Sequence, residues 1–382
     1  MSRTPRWNPL APDVLANPIH AYDKMRQQCP VAKSDAMYTT VFRHKDVLDI
    51  LLDHHTFSSK ASRYVSVPNT MDPPEHTAWR AIIEPYFSAE RLAAFAPICK
   101  RLCEALVAGL NTREPVEIMG DLAEPFALRM QSAYLGWPTW VRQPLREWVH
   151  KKNVATREQD DDALKELASA FDDTIRQLIR ERRAMGPAAP DDVTTHLLKE
   201  TIHGRPIREE ELVSLLRNWT VGELGTMASS IGIISHFLAT HPNIQTQLRE
   251  QPTLIGKAND EILRLHAPLI NNRRTPTKPV DLHGTQLQPG ERITLLWASA
   301  NRDETVFEAA DEFRLDRDPR LNLLYGAGVH KCPGAPLARL ELTTMIAALL
   351  EATTQIDPVA DQPPMAAHYP AGGFSEVVLL LR

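Results

Sequence analysis

Apolar residues recur at helical spacing through most of this chain, and the interruptions divide it into elements. Pro5, Pro9, Pro12 and Pro18 predict an extended arm over residues 1–20, before a helix near Ile19–Gln28. Met37–Phe42 is β-rich and reads as a strand; Lys45–Leu52 reads as a helix. Ser58–Thr70 has no apolar period and holds Pro68, so it is a loop, as readily a plain surface loop as a cover over a site. Asp72 followed by Pro73 predicts a helix start, which places His76 and Arg80 four apart on one face. Residues 88–200 keep a helical period, broken at Asn111–Glu114, Gly136–Pro138 and Met185–Pro190. The longest run, Glu209–Thr240, ends at His241-Pro242. Inside it Gly222 and Gly225 each cost about 1 kcal/mol relative to alanine. That cost predicts a local opening of the helix, or a flat group packed against its backbone. From Leu269 the pattern turns β-rich, with strands near Val280–Leu282 and Arg292–Trp297, a turn at Pro289-Gly290, and a last strand over Glu376–Leu381.

Charge and cysteine usage narrow the class. The net charge of −5 and a pI near 6.3 give no electrostatic footprint for nucleic acid. Four irregularly spaced cysteines make no disulfide framework, which predicts a reducing compartment. The start, Met1 to Pro9, has no apolar leader, and no segment is long and apolar enough to span a bilayer. The expectation is a cytoplasmic protein forming one domain over residues 1–382.

The candidate chemistry sits in Tyr325-Gly-Ala-Gly-Val-His-Lys-Cys-Pro-Gly-Ala-Pro-Leu-Ala-Arg-Leu-Glu341. One cysteine, Cys332, lies in a loop with Gly326, Gly328 and Gly334, and a helical pattern starts after Pro336. Glycines allow a backbone to approach a flat partner and to take positive φ. Backbone N–H groups can then point at the sulfur and stabilise a thiolate. Cys29, Cys99 and Cys103 lack such surroundings and read as buried apolar thiols.

This segment resembles the cysteine-ligand signature of the cytochrome P450 family: aromatic-Gly-x-Gly-x-His-x-Cys-x-Gly, then Leu-Ala-Arg-x-Glu. Gly326, Gly328, His330, Cys332, Gly334, Leu337, Ala338, Arg339 and Glu341 match, with Tyr325 where the family usually has Phe. The resemblance implies a mainly α fold with a smaller β-rich region, the P450 prism, with haem b between a long helix and the Cys332 loop. Cys332 would be the iron ligand; Gly326, His330 and Gly334 would belong to the same cofactor-binding loop. His76 and Arg80 match the family's His-x-x-x-Arg helix, and Arg274, nine residues before His283-Gly284, matches a further arginine; these would bind haem propionates. Thr226 takes the place of the threonine that hydrogen-bonds iron-bound dioxygen. The acid that normally precedes it is replaced by Gly225, and Glu223 is the nearest carboxylate, either a proton relay or a member of a local pair. Glu261 and Arg264, an i, i+3 pair common in any helix, resemble the family's Glu-x-x-Arg and would join Arg314 in a structural network. Matched positions make Val221, Ile270, Asn272 and Phe374 pocket candidates, with Ala371–Phe374 as a turn dipping into the pocket.

Asn218-Trp-Thr-Val-Gly-Glu-Leu-Gly-Thr and Asn322-Leu-Leu-Tyr-Gly-Ala-Gly are similar to the haem domains of bacterial self-sufficient P450s, which carry a fused flavin and [2Fe–2S] reductase. This chain holds no ferredoxin-type cysteine cluster and no dinucleotide glycine motif. The expected partners are a separate ferredoxin and ferredoxin reductase, with excision from a fusion as the alternative. Lys331, Lys100 and Arg101 are candidates to receive an acidic ferredoxin. The implied activity is NAD(P)H-driven monooxygenation of a small hydrophobic or aromatic substrate, by hydroxylation or O-dealkylation. Its rivals are a peroxide-driven peroxygenase, a haem sensor or carrier without turnover, and a cysteine hydrolase using Cys332 and His330. The hydrolase explains neither the glycine loop nor the paired arginines.

Overall fold

Two of the four N-terminal prolines begin helices instead of extending the chain. Pro12 and Pro18 open α1 (Pro12–Ala16) and α2 (Pro18–Gln28). Proline at a first helical position loses no hydrogen bond and brings a suitable φ, so the expected extended arm fails from Pro12 onward. The computed structural model describes residues 5–62, 65–158, 160–367, 369 and 371–382; residues 1–4 of the expected arm lie outside them.

β1 (Val31–Ser34) and β2 (Tyr38–Val41) form a hairpin ahead of α3 (His44–Leu52). After β3 (Phe57–Ser58) comes the aperiodic loop, of which Arg63 and Tyr64 lie outside the described residues. Its far end rests on the long helix: Val67 N–H donates to Ser214 Oγ (2.9 Å) and Asn218 Nδ2 donates to the Val67 carbonyl (2.8 Å). Helix α4 (Glu75–Ile83) begins beyond Asp72, whose carboxylate instead accepts the Ser59 N–H and the Ser58 hydroxyl.

The central region follows the sequence breaks. α5 (Ala89–Ala108), β4 (Val116–Glu117) and α6 (Glu124–Leu135) lead to Gly136, whose φ of 74° closes α6 in the left-handed region. α7 (Arg142–Glu158), α8 (Asp161–Met185) and α9 (Val193–Leu197) precede a short hairpin of β5 (Thr201–Ile202) and β6 (Arg205–Pro206).

α10 (Glu209–Thr240) runs for 32 residues, about 48 Å. Glu209, Glu210 and Glu211 complement the dipole of its first turn, and from Met227 onward almost every residue is buried. The helix continues unbroken through Gly222 and Gly225, so the predicted local opening is absent. α11 (Pro242–Glu250) and α12 (Ile255–His266) complete the helical core with α14 (Ala335–Ala352), which packs along α5.

β7 (Asn272–Pro276), the hairpin of β8 (Val280–Leu282) and β9 (Thr285–Leu287), and β10 (Ile293–Leu295) precede α13 (Trp297–Ala300). The main sheet has the order β1-β2-β10-β7-β3, with β10 parallel to β2 and antiparallel to β7. β11 (Ile356–Pro358), β14 (Val378–Leu381) and β4 form a second sheet; β12 (Met365–Ala366) pairs with β13 (Phe374–Glu376).

The Ala371–Phe374 turn reaches α10 through glycine. Ser229 Oγ donates to the Gly372 carbonyl (2.6 Å), and Gly373 has a φ of 79°. A methyl group at Gly372 would collide with the Ala267 carbonyl oxygen. Gly372→Ala is therefore expected to destabilise the fold by about 1–3 kcal/mol, read as a lower denaturant midpoint at unchanged slope.

Candidate active site

Backbone geometry sets the Cys332 loop. Gly326 and Gly328 take φ of 69° and 68°, and a side chain at Gly328 would collide with the Leu51 carbonyl of α3. Cys332 N–H donates to the Tyr325 carbonyl (2.8 Å), closing the turn. The indole of Trp297 lies against Gly326. Burial pushes the Cys332 thiol up, while the Gly334 and Ala335 N–H groups at the sulfur, together with Arg80, pull against that rise. Donors already aimed at the sulfur favour its anion, the form a metal takes. The Tyr325 ring stacks beneath the Arg339 guanidinium (4.6 Å), which pairs with Asp260 (2.8 Å). The Tyr-for-Phe departure leaves the loop's closing bond to the backbone.

Around the loop stand polar groups with unmet hydrogen-bonding capacity, one of them a buried guanidinium without a carboxylate partner. Arg274, only 4 % exposed, donates to the Arg273 carbonyl and Asn272 Oδ1 and to no carboxylate. Burial draws its pKa down to about 10. The His76 and His330 rings lie 4.0 Å apart, and Nε2 of each is buried with no partner. Burial, then neighbouring cationic groups, lowers His76 to about 4 and His330 to about 3. Arg80 donates to the Lys331 carbonyl (2.7 Å) and pairs with Glu84 (2.8 Å), with guanidinium donors left over. Such a cluster is costly to bury unless an anionic group completes it. Above it, side chains built on Gly222 and Gly225 would meet nothing within 4 Å. The flat-partner alternative therefore survives where the local opening did not. A flat, dianionic group that accepts a sulfur ligand, such as haem, fits these residues.

Thr226 Oγ1 donates to the Gly222 carbonyl (2.6 Å), its own helix's backbone. Glu223 turns elsewhere: its carboxyl faces that of Glu341 on α14. Glu223 Oε1 and both Glu341 oxygens are buried with no donor, since two carboxylates have none to offer each other. Burial raises both, and Glu223 drives Glu341 further up. The pairing alternative for Glu223 is thus met by a second acid.

The structural network differs from expectation at one member. Glu261 and Arg264 form a bidentate pair (2.8 and 2.9 Å), both buried. The third guanidinium is Arg317, 2.9 Å from Glu261 Oε1, and not Arg314. Arg314 contributes only its backbone N–H; its side chain pairs with Asp316 and Glu308 toward solvent. Asp311–Arg317 offers two arginines three apart, and only the fold of that loop chooses between them.

The pocket candidates separate. Val221 is half-buried on α10 one residue before Gly222. Asn272 holds the Arg273 N–H and Arg274, and Ile270 is buried among Tyr22, Met37, Phe42 and Leu296. The Phe374 ring packs on His236 (4.8 Å), ten residues and about 15 Å along α10 from Thr226. Gly372 and Gly373 approach the helix because they lack side chains, and the Phe374 ring meets the same helix further along.

Comparison with known proteins bears on the family and the fold. The profile described as Cytochrome P450 matches residues 142–368. The chain is 28 % identical to Cytochrome P450 109 of Bacillus spizizenii over 90 % of its own length and 86 % of that protein's. It is also 28 % identical to the steroid C26-monooxygenase of Mycolicibacterium smegmatis, over 90 % and 87 %. Its fold matches a mutant of P450 EryK in complex with erythromycin B at a TM-score of 0.85 and 25 % identity, covering 96 % of both chains. This chain belongs to the cytochrome P450 family. It is a haem-dependent oxidoreductase of the monooxygenase type, and among its described residues no helix is long and apolar enough to cross a membrane.

Proposed function

We propose that the chain is a haem b–thiolate monooxygenase. It would use NAD(P)H electrons, delivered by a ferredoxin and its reductase, to insert one oxygen atom into a small hydrophobic or aromatic substrate by hydroxylation or O-dealkylation. The observation that carries this reading is Cys332 in its N–H-lined loop, together with buried Arg274, which donates to no carboxylate, and the partnerless Nε2 atoms of His76 and His330. Haem, when bound, supplies oxygen activation, with cysteine ligation favouring O–O cleavage. Cys332 would hold the iron; Arg274, His76, Arg80 and His330 would hold the propionates. The Gly222–Thr226 turn would hold a hydroxyl proton over the site, and the loop ending at Val67 would help exclude water.

A recess of about 230 Å³ beside Cys332, lined by Arg80, Lys331 and Arg339 against the one acid Glu84, supports an acidic electron donor. Free thiols at all four cysteines support a cytoplasmic setting. A peroxide-driven variant is the second reading, favoured by Gly225 in the acid's place and by Glu223 facing Glu341. Product formation with H₂O₂ alone, at rates matching the ferredoxin route, would select it.

The deciding measurement is the absorption spectrum of dithionite-reduced protein with CO. Wild type should give the red-shifted Soret band of a thiolate ligand, and Cys332→Ser should lose it. A histidine-type band in wild type would overturn the assignment.

A further inference from the structure

The Glu223–Glu341 contact joins the helix carrying Thr226 to the helix that follows the Cys332 loop. Glu341 is wholly buried, and every influence on it favours its neutral form: burial, Glu223 and Cys99. The titratable groups acting on the two carboxyls or acted on by them are the Cys99 and Cys103 thiols of α5, Tyr134 of α6, and Tyr325 and Cys332 of the loop. All are neutral or anionic; among the described residues no lysine, arginine or histidine acts on the pair. Glu223 Oε1 and both Glu341 oxygens are buried with no donor; two bare carboxylates so placed repel strongly, whereas one proton between them turns repulsion into a charge-assisted hydrogen bond.

We propose that Glu223 and Glu341 share a single proton at neutral pH, and that Glu341 is thereby a positioning residue that seats the Gly222–Thr226 turn of α10 on α14. The proton comes from solvent and returns there, and no bond to substrate is involved. Glu223 adjoins Gly222, whose carbonyl holds the Thr226 hydroxyl, so loss of the shared proton pushes this turn away from α14. The two protons belong to the pair and not to either residue. The Thr226 consequence rests on the oxygenase reading above; the shared proton does not.

The sign follows from linkage. The folded pair keeps a proton that an unfolded glutamate has already released, so stability falls as pH rises through that window. Above the ordinary glutamate range, the unfolding equilibrium constant should rise by up to roughly tenfold per pH unit for as long as the folded pair holds its proton, and level off once that proton has left.

Infrared difference spectroscopy of the purified holoenzyme tests the pair directly. Wild type at neutral pH should show a deuterium-sensitive band of a buried protonated carboxyl. Glu223→Gln and Glu341→Gln should each lose it, because the amide then donates to the remaining carboxylate. Each variant should also flatten the pH dependence of stability while remaining folded. Absence of the band in wild type, its persistence in either variant, or an unchanged slope in the variants overturns the shared proton. Coupling of NAD(P)H oxidation to product should fall with rising pH in wild type and lose that dependence in Glu341→Gln. If the infrared and stability results hold but coupling does not follow, the positioning role falls and the shared proton stands. A CO spectrum without a thiolate band would instead sink the oxygenase reading and leave the pair intact.

Discussion

Replacing Arg264 by leucine is expected to abolish accumulation of folded protein. The side chain is 1 % exposed and holds Glu261 through two bonds, with three further bonds to the carbonyls of Asn301, Ala310 and Glu312. Removing one partner of a buried ion pair costs about 3–5 kcal/mol. Each carbonyl left without a donor adds about 1 kcal/mol or more. Against a typical total stability of about 5–15 kcal/mol, little remains. Arg317→Ala should be the milder form of the same defect, because Glu261 keeps Arg264. Arg314→Ala should leave the melting temperature near wild type, since its guanidinium faces solvent. Thermal melts of the three variants check the order. Equal damage from Arg314 and Arg317 would return Arg314 to the network.

Arg274→Leu should act in opposite directions on the empty and the loaded protein. In haem-free protein the guanidinium is buried beside a carbonyl and an amide oxygen, without an anion. An apolar side chain there relieves an uncompensated charge, and stability should rise by about 1 kcal/mol. In loaded protein the same change deletes a charge-assisted bond to a propionate, a loss of about 1.5–3 kcal/mol, or roughly 10- to 100-fold in haem retention. Denaturant titration of the haem-free variant and haem transfer to excess apomyoglobin measure the two effects. A variant less stable when empty would show that Arg274 supports the fold itself.

What the sequence made legible was local or carried by ordered motifs. The ends of α10, the breaks near Gly136 and Met185, and the sulfur loop follow from proline, glycine and apolar period, which act over a few residues. Long-range choices were not legible. Arg314 and Arg317 present the same chemistry three positions apart, and packing of the loop alone decides which guanidinium reaches Glu261. Phe374 follows two glycines that touch α10, and only the folded chain shows its ring meeting His236 of that same helix. Glu341 stood in the signature as a matched letter. A carboxylate flanked along α14 by buried Leu337, Leu342 and Met345 was the available sign that it needed a partner. That partner came from a helix more than a hundred residues earlier.

The Cys332 turn is tied down without using any ligand. Its closing bond runs to Tyr325, its glycine contact to α3, and its flank is held by Arg80 at the Lys331 carbonyl. Three parts of the chain thus anchor one turn independently, so losing any single anchor should loosen the sulfur's position without releasing the loop.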